Sequence, residues 1–123
     1  MKHNVKIVVV EADARIRELI VDILEFCVNR AVVSFEDGEA AWRHLKRPGR
    51  SHIVIAEIDI PGMKGDELLR RVKKSDPQKV CILMSSRAAD EKTAQSLEAD
   101  AFLAKPFVID DLFEIVRRFV VEE

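Results

Sequence analysis

The sequence predicts an α/β domain built on an open, doubly wound (βα)5 parallel sheet, and three observations carry that prediction. Short apolar runs alternate five times with amphipathic stretches along the 123 residues. The runs are near-continuous in Val and Ile, as suits strands covered on both faces, and do not alternate apolar with polar residues. The stretches between them are long enough to be helical crossovers, which successive parallel strands require.

The five strands are placed at Lys6 to Val10, Val32 to Phe35, Ile53 to Glu57, Val80 to Met84 and Ala101 to Leu103. Ile16, Leu19, Ile20, Ile23, Leu24 and Cys27 step by three and four, which puts one apolar stripe on the first helix. Asp13 stands where the chain turns into that helix and is expected to cap it. Asp37-Gly38-Glu39 opens the second helix. Leu68, Leu69 and Val72 give the third its inner face, while Arg70, Arg71, Lys73 and Lys74 read as its solvated side. Leu112, Ile115, Val116 and Phe119 form the stripe of the last helix, beside exposed Arg117 and Arg118, and that helix is expected to end at Glu122-Glu123.

The length suits one compact domain over residues 1–123. Apolar residues at 48% and charged residues at 34%, with four Gly and four Pro, exclude a linker or a fibre. A net charge of -2 argues against direct nucleic-acid binding through bulk positive charge. The first apolar run stops at Glu11, too short for a secretion signal or a membrane span, so a cytoplasmic location without membrane insertion is expected. Cys27 and Cys81 form no CxxC pair and are read as buried apolar fillers. His3, His44 and His52 share no helix face, which leaves them packing or surface roles.

In an open parallel sheet, ligands bind at the carboxyl ends of the strands, beside the point where strand order reverses. Those ends here carry Glu11-Ala12-Asp13, Glu57-Ile58-Asp59, Ser85-Ser86 and Lys105-Pro106. Carboxylates, hydroxyls and one ammonium make a phosphoryl or metal site the natural expectation. No glycine-rich loop follows the first strand, so no organic cofactor such as a nucleotide or flavin is expected there.

With these features, nearly the whole chain resembles the receiver domain of two-component response regulators, the CheY-like members of the flavodoxin-like sheets with strand order 2-1-3-4-5. The resemblance rests on an acidic cluster after the first strand, a carboxylate at Glu57 four residues before Pro61-Gly62, a hydroxyl after the fourth strand, and Lys105-Pro106 after the fifth. It implies that Glu11 and Ala12 fall on the acidic pair, Glu57 on the phosphoacceptor, Asp59 on the residue lending a backbone carbonyl to Mg2+, and Ser85 on the switch hydroxyl. Phe102 falls on the switch aromatic and Lys105 on the lysine that contacts phosphate. The family also holds the Lys-Pro bond in cis. The loop from Ser85 to Lys105 is slightly shorter than usual, which leaves Ser86 as a substitute for Ser85, and Glu98 takes a place usually given to Gly.

Two departures bear on the chemistry. Family members carry Asp where this chain has Glu57, and an acid where it has Ala12. Mg2+ needs near-octahedral oxygen coordination at about 2.0 to 2.1 Å, and Ala12 offers no side-chain oxygen. Any Mg2+ would have to rest on Glu11, Glu57 and Asp59. The extra methylene of Glu57 displaces the nucleophile, and an error of about 1 Å can cost about a hundredfold in rate. Glu57 then has three readings: a structural ion pair with Lys105, a partial imitation of the phosphorylated state, or a competent Mg2+-dependent phosphoacceptor, with Asp59 as a displaced alternative. The expected function is a signalling module that is weakly phosphorylated or independent of phosphorylation. It has no enzymatic activity beyond phosphorylation and dephosphorylation of its own carboxylate. Implied partners are a sensor histidine kinase or phosphotransferase, an output protein, and a second copy through the fourth helix, fifth strand and fifth helix.

Overall fold

In the computed structural model, which describes residues 5–120, five strands pair in parallel in the order β2-β1-β3-β4-β5. They are β1 (Lys6–Val10), β2 (Ala31–Phe35), β3 (Ile53–Glu57), β4 (Val80–Ser85) and β5 (Ala101–Ala104). The helices are α1 (Ala14–Ile23), α2 (Gly38–Leu45), α3 (Gly65–Ser75), α4 (Asp90–Ser96) and α5 (Ile109–Val120). His3 and the expected end at Glu122-Glu123 lie outside the described residues.

Strand periodicity sorts the core into two layers. Ile7, Val9, Ile53, Ile55, Ile82, Met84 and Leu103 face α1 and α5, where Ile20, Ile23, Leu24, Leu112 and Val116 meet them. Val8, Val10, Val54, Ala56 and Leu83 face the other way, onto Ala41, Leu45, Leu68, Leu69, Val72 and Ala94 of α2, α3 and α4. All five residues of β3 are buried, which is what the unbroken apolar run required of a central strand. The order reverses between β1 and β3, so the crevice lies above Val10 and Glu57.

Side-chain caps set two of the helix starts. Asp13 accepts from the amides of Arg15 and Ile16 at 2.9 and 3.2 Å, and Asp37 accepts from Ala40 at 2.7 Å. Differences from expectation cluster at edges. β2 starts one residue earlier than Val32, while β4 and β5 each run one residue further, to Ser85 and Ala104. Leu19 is 46% exposed, and Cys27 is exposed in a π-helical turn (Leu24–Val28) that prolongs α1. The apolar stripe of α1 is wider than the sheet can cover, so its rim faces solvent. Cys81 is buried as expected, and burial pushes its thiol up to about 12. Glu98 adopts φ +62, the left-handed conformation that explains why a glycine would suit this position. The Lys105-Pro106 bond is cis.

Candidate functional site

Three charged side chains meet where the strand order reverses. Lys105, at the end of β5, sends its Nζ between two carboxylates, 2.5 Å from Glu57 Oε1 and 2.9 Å from Glu11 Oε1. The side chains are 14% exposed for Lys105, 8% for Glu57 and 3% for Glu11, so water screens this triad little. The second oxygen of each carboxylate is also used. Glu57 Oε2 accepts from the Asp59 amide and Glu11 Oε2 from the Asp13 amide, both at 3.1 Å. Arg17 steadies the first loop by donating to the carbonyls of Glu11 and Ala12.

Burial opposes the Lys105 charge, but hydrogen bonds to Glu57 and Glu11, with their negative charges, outweigh it and raise its pKa above the ordinary 10.5. A raised folded-state pKa gives stability that is complete below the unfolded value and disappears as pH climbs through the folded one. Urea unfolding should therefore show an alkaline decline in two parts, one from the buried Cys81 thiol beginning above its ordinary value of about 9 and one from Lys105 setting in above about pH 10.5, and a Lys105→Met variant should lack only the second. The chain contains no Tyr, and a Cys81→Ala background in both proteins leaves the Lys105 part to be read alone.

The hydroxyl of Ser85 is fully buried and turned toward α4, donating to Asp90 Oδ2 at 2.6 Å and accepting from the Arg87 amide at 3.0 Å. Arg87 joins the two loops above it. Its guanidinium lies 2.9 Å from Asp90 and forks onto Asp59, with contacts of 2.5 and 3.3 Å. That hydrogen bond, aided by the charges of Arg87 and Lys64, holds the Asp59 carboxyl below the usual range. Asp59 and Arg87 are both about half exposed, so solvent weakens this link relative to the buried triad.

The structure thus brings Glu11, Glu57 and Lys105 together and places Ser85 beside Asp90, with Asp59 drawn to Arg87. Ser86 is exposed. Phe102 is partly buried against the α2, α3 and α4 layer. Among the described residues, no three His, Cys, Asp or Glu side chains converge on a position that could hold a metal ion. Arg87 and Asp90 were not singled out from the sequence. The one available signal was an acid at the first residue of a helix starting five residues after Ser85.

A family model described as Response regulator receiver domain matches residues 7–117. The response regulator protein FleR of Pseudomonas aeruginosa is 30% identical over 115 residues, 92% of this chain but 24% of that protein. Sporulation initiation phosphotransferase F of Bacillus subtilis is 33% identical over 73 residues, covering 58% of this chain and 59% of that protein. The chain therefore spans only a part of these curated relatives. Among solved structures, a CheY-like receiver domain protein from Methanospirillum hungatei superposes with a TM-score of 0.86 at 24% identity, covering 95% of this chain and 94% of that one. A BeF3-activated DrrB receiver domain gives 0.84 at 27% identity, covering 95% and 97%.

Proposed function

The chain belongs to the response regulator receiver domain family, and we propose that it is a two-component signalling module that works without phosphorylation of its own site. The observation that carries this reading is the Lys105 ammonium hydrogen-bonded to both Glu57 and Glu11. Each carboxylate oxygen already has a partner, so an incoming phosphodonor would have to break a buried ion pair before Glu57 could attack.

The donor set does not suit Mg2+. Ala12 supplies no side-chain oxygen, the Asp59 carboxylate is engaged by Arg87, which leaves that residue only its backbone carbonyl, and the oxygens of Glu11 and Glu57 are already taken by the shared Lys105 ammonium and by backbone amides. Glu57 serves as a structural ion-pair partner in this reading. The bond from Ser85 to Asp90 supports that role over imitation of a phosphoryl group, which would need the hydroxyl turned toward Glu57. Function then lies in docking to a histidine kinase, a phosphotransferase or an output protein within the cytoplasm, and in pairing with a second copy through α4, β5 and α5.

Intact-mass measurement after incubation with acetyl phosphate and Mg2+ tests the proposal. The parent chain should stay unmodified, while a Glu57→Asp, Ala12→Asp double variant should gain one phosphoryl group. Equal labelling of both would overturn it.

A further inference from the structure

Between Glu39 and Glu57 the chain has no acidic residue, yet it carries Arg43, His44, Lys46, Arg47, Arg50 and His52. In a protein of net charge -2 this is a concentrated positive segment. The fold places it at the amino ends of the strands, away from Glu57, because α2 descends to that end and the following loop leads into β3. A cavity of about 640 Å³ opens there, lined by Lys6, Val33, His44, Arg47, Pro48 and Arg50. Lys6, Arg47 and Arg50 are exposed, and none pairs with a carboxylate among the described residues.

We propose that this cavity binds a small phosphorylated organic molecule of the nucleoside di- or triphosphate class. Two of the cations are guanidiniums, whose planar forks match phosphate oxygens. Lys6 donates from Nζ to the Gly49 carbonyl at 3.2 Å, which ties the loop carrying Arg47 and Arg50 back to β1. Gly49 itself takes φ +74, a turn that a residue with a side chain would resist. His44 forms the inner wall, its ring 5.2 Å from that of Phe35, and its Nε2 is buried with no hydrogen-bond partner among the described residues. Burial first, then the charges of Arg50, Arg47 and Lys79, lower the His44 pKa.

The apolar part of the wall decides the ligand class. Val33, 45% exposed, and Pro48 offer a surface that inorganic phosphate would leave uncovered but a base or sugar could cover. The volume lies within the usual range for small-ligand pockets, roughly 300 to 1,000 Å³. Single-stranded nucleic acid would need a longer basic track with stacking aromatics, and Trp42, on the same helix, is instead covered by Arg71 of α3.

Titration calorimetry of the full chain in EDTA, with ADP, adenosine, pyrophosphate and a short oligonucleotide, tests the site apart from any metal chemistry at Glu57. ADP should bind at least about tenfold more tightly than adenosine or pyrophosphate. Amide NMR signals of Lys6, Arg47, Gly49 and Arg50 should move while those of Glu11 and Glu57 stay. An Arg47→Glu, Arg50→Glu variant should weaken ADP by at least about tenfold with an unchanged circular dichroism spectrum, since both positions are exposed. Absence of ADP binding at millimolar concentration, equal binding of pyrophosphate, tighter binding of the oligonucleotide, or indifference to the charge reversal would each overturn the proposal.

Discussion

Lys105→Met lowers the free energy of unfolding by about 3–5 kcal/mol, the usual cost of removing one partner from a buried ion pair. Two carboxylates with side chains 8% and 3% exposed would be left without their cation, facing each other across the sheet crevice. A domain of this size has roughly 5–15 kcal/mol in total, so the loss should be plain in urea unfolding at neutral pH. Methionine conserves most of the packing volume, which assigns the loss to charge. Adding Glu11→Gln and Glu57→Gln should recover more than half of it, because neutral amides leave no buried charge uncompensated. A cost below about 1 kcal/mol for Lys105→Met, the range of solvated pairs, would mean that the triad is hydrated and that the site is not filled by its own lysine.

Gly65→Ala is the second large effect. A Cβ at Gly65 would lie 2.1 Å from the Glu57 carbonyl oxygen and 2.8 Å from Ile58 Cα, both backbone atoms that no rotamer change can move aside. Gly65 also donates its amide to the Ile58 carbonyl at 3.0 Å, so α3 is fastened against the end of β3 at this point. The helix would have to back away, at the upper end of the roughly 1–3 kcal/mol that overpacking costs. The shift would also move Glu57 relative to Lys105, and the alkaline decline should change its midpoint. Gly62→Ala provides the contrast. Its Cβ would meet Glu39 Cγ at 3.4 Å, an ordinary contact, leaving only the strain of φ +73, about 1–2 kcal/mol. Thermal denaturation that ranked Gly62→Ala as the more damaging change would contradict this packing.

Much of this structure could be read from the chain because its signals are local. The limits of β1 and β3 follow from unbroken Val and Ile runs closed by Glu11 and by the Pro61-Gly62 turn, and the caps at Asp13 and Asp37 follow from residue type beside a periodic stripe. The meeting of Lys105 with Glu57 and Glu11 spans 48 and 94 residues of sequence, so it became legible only through the family resemblance. Partner choice at Ser85 was not legible at all. It depends on how α4 enters, which places Asp90 and Arg87 over the hydroxyl. Leu19 and Cys27 show the limit of periodicity, which marks a helix face but not how much of that face the sheet covers. The basic segment from Arg43 to Arg50 was hidden by a net charge that averages both ends of the sheet.

Fluorine NMR of the protein with beryllium, excess fluoride and Mg2+ addresses the self-filled site most directly, since beryllofluoride stands in for a phosphoryl group on a carboxylate. The parent chain should give no bound fluorine resonance, and the Glu57→Asp, Ala12→Asp variant should give one. A Mg2+-dependent bound resonance on the parent chain, lost in Glu57→Gln, would contradict the view that Lys105 already occupies the place of metal and phosphate.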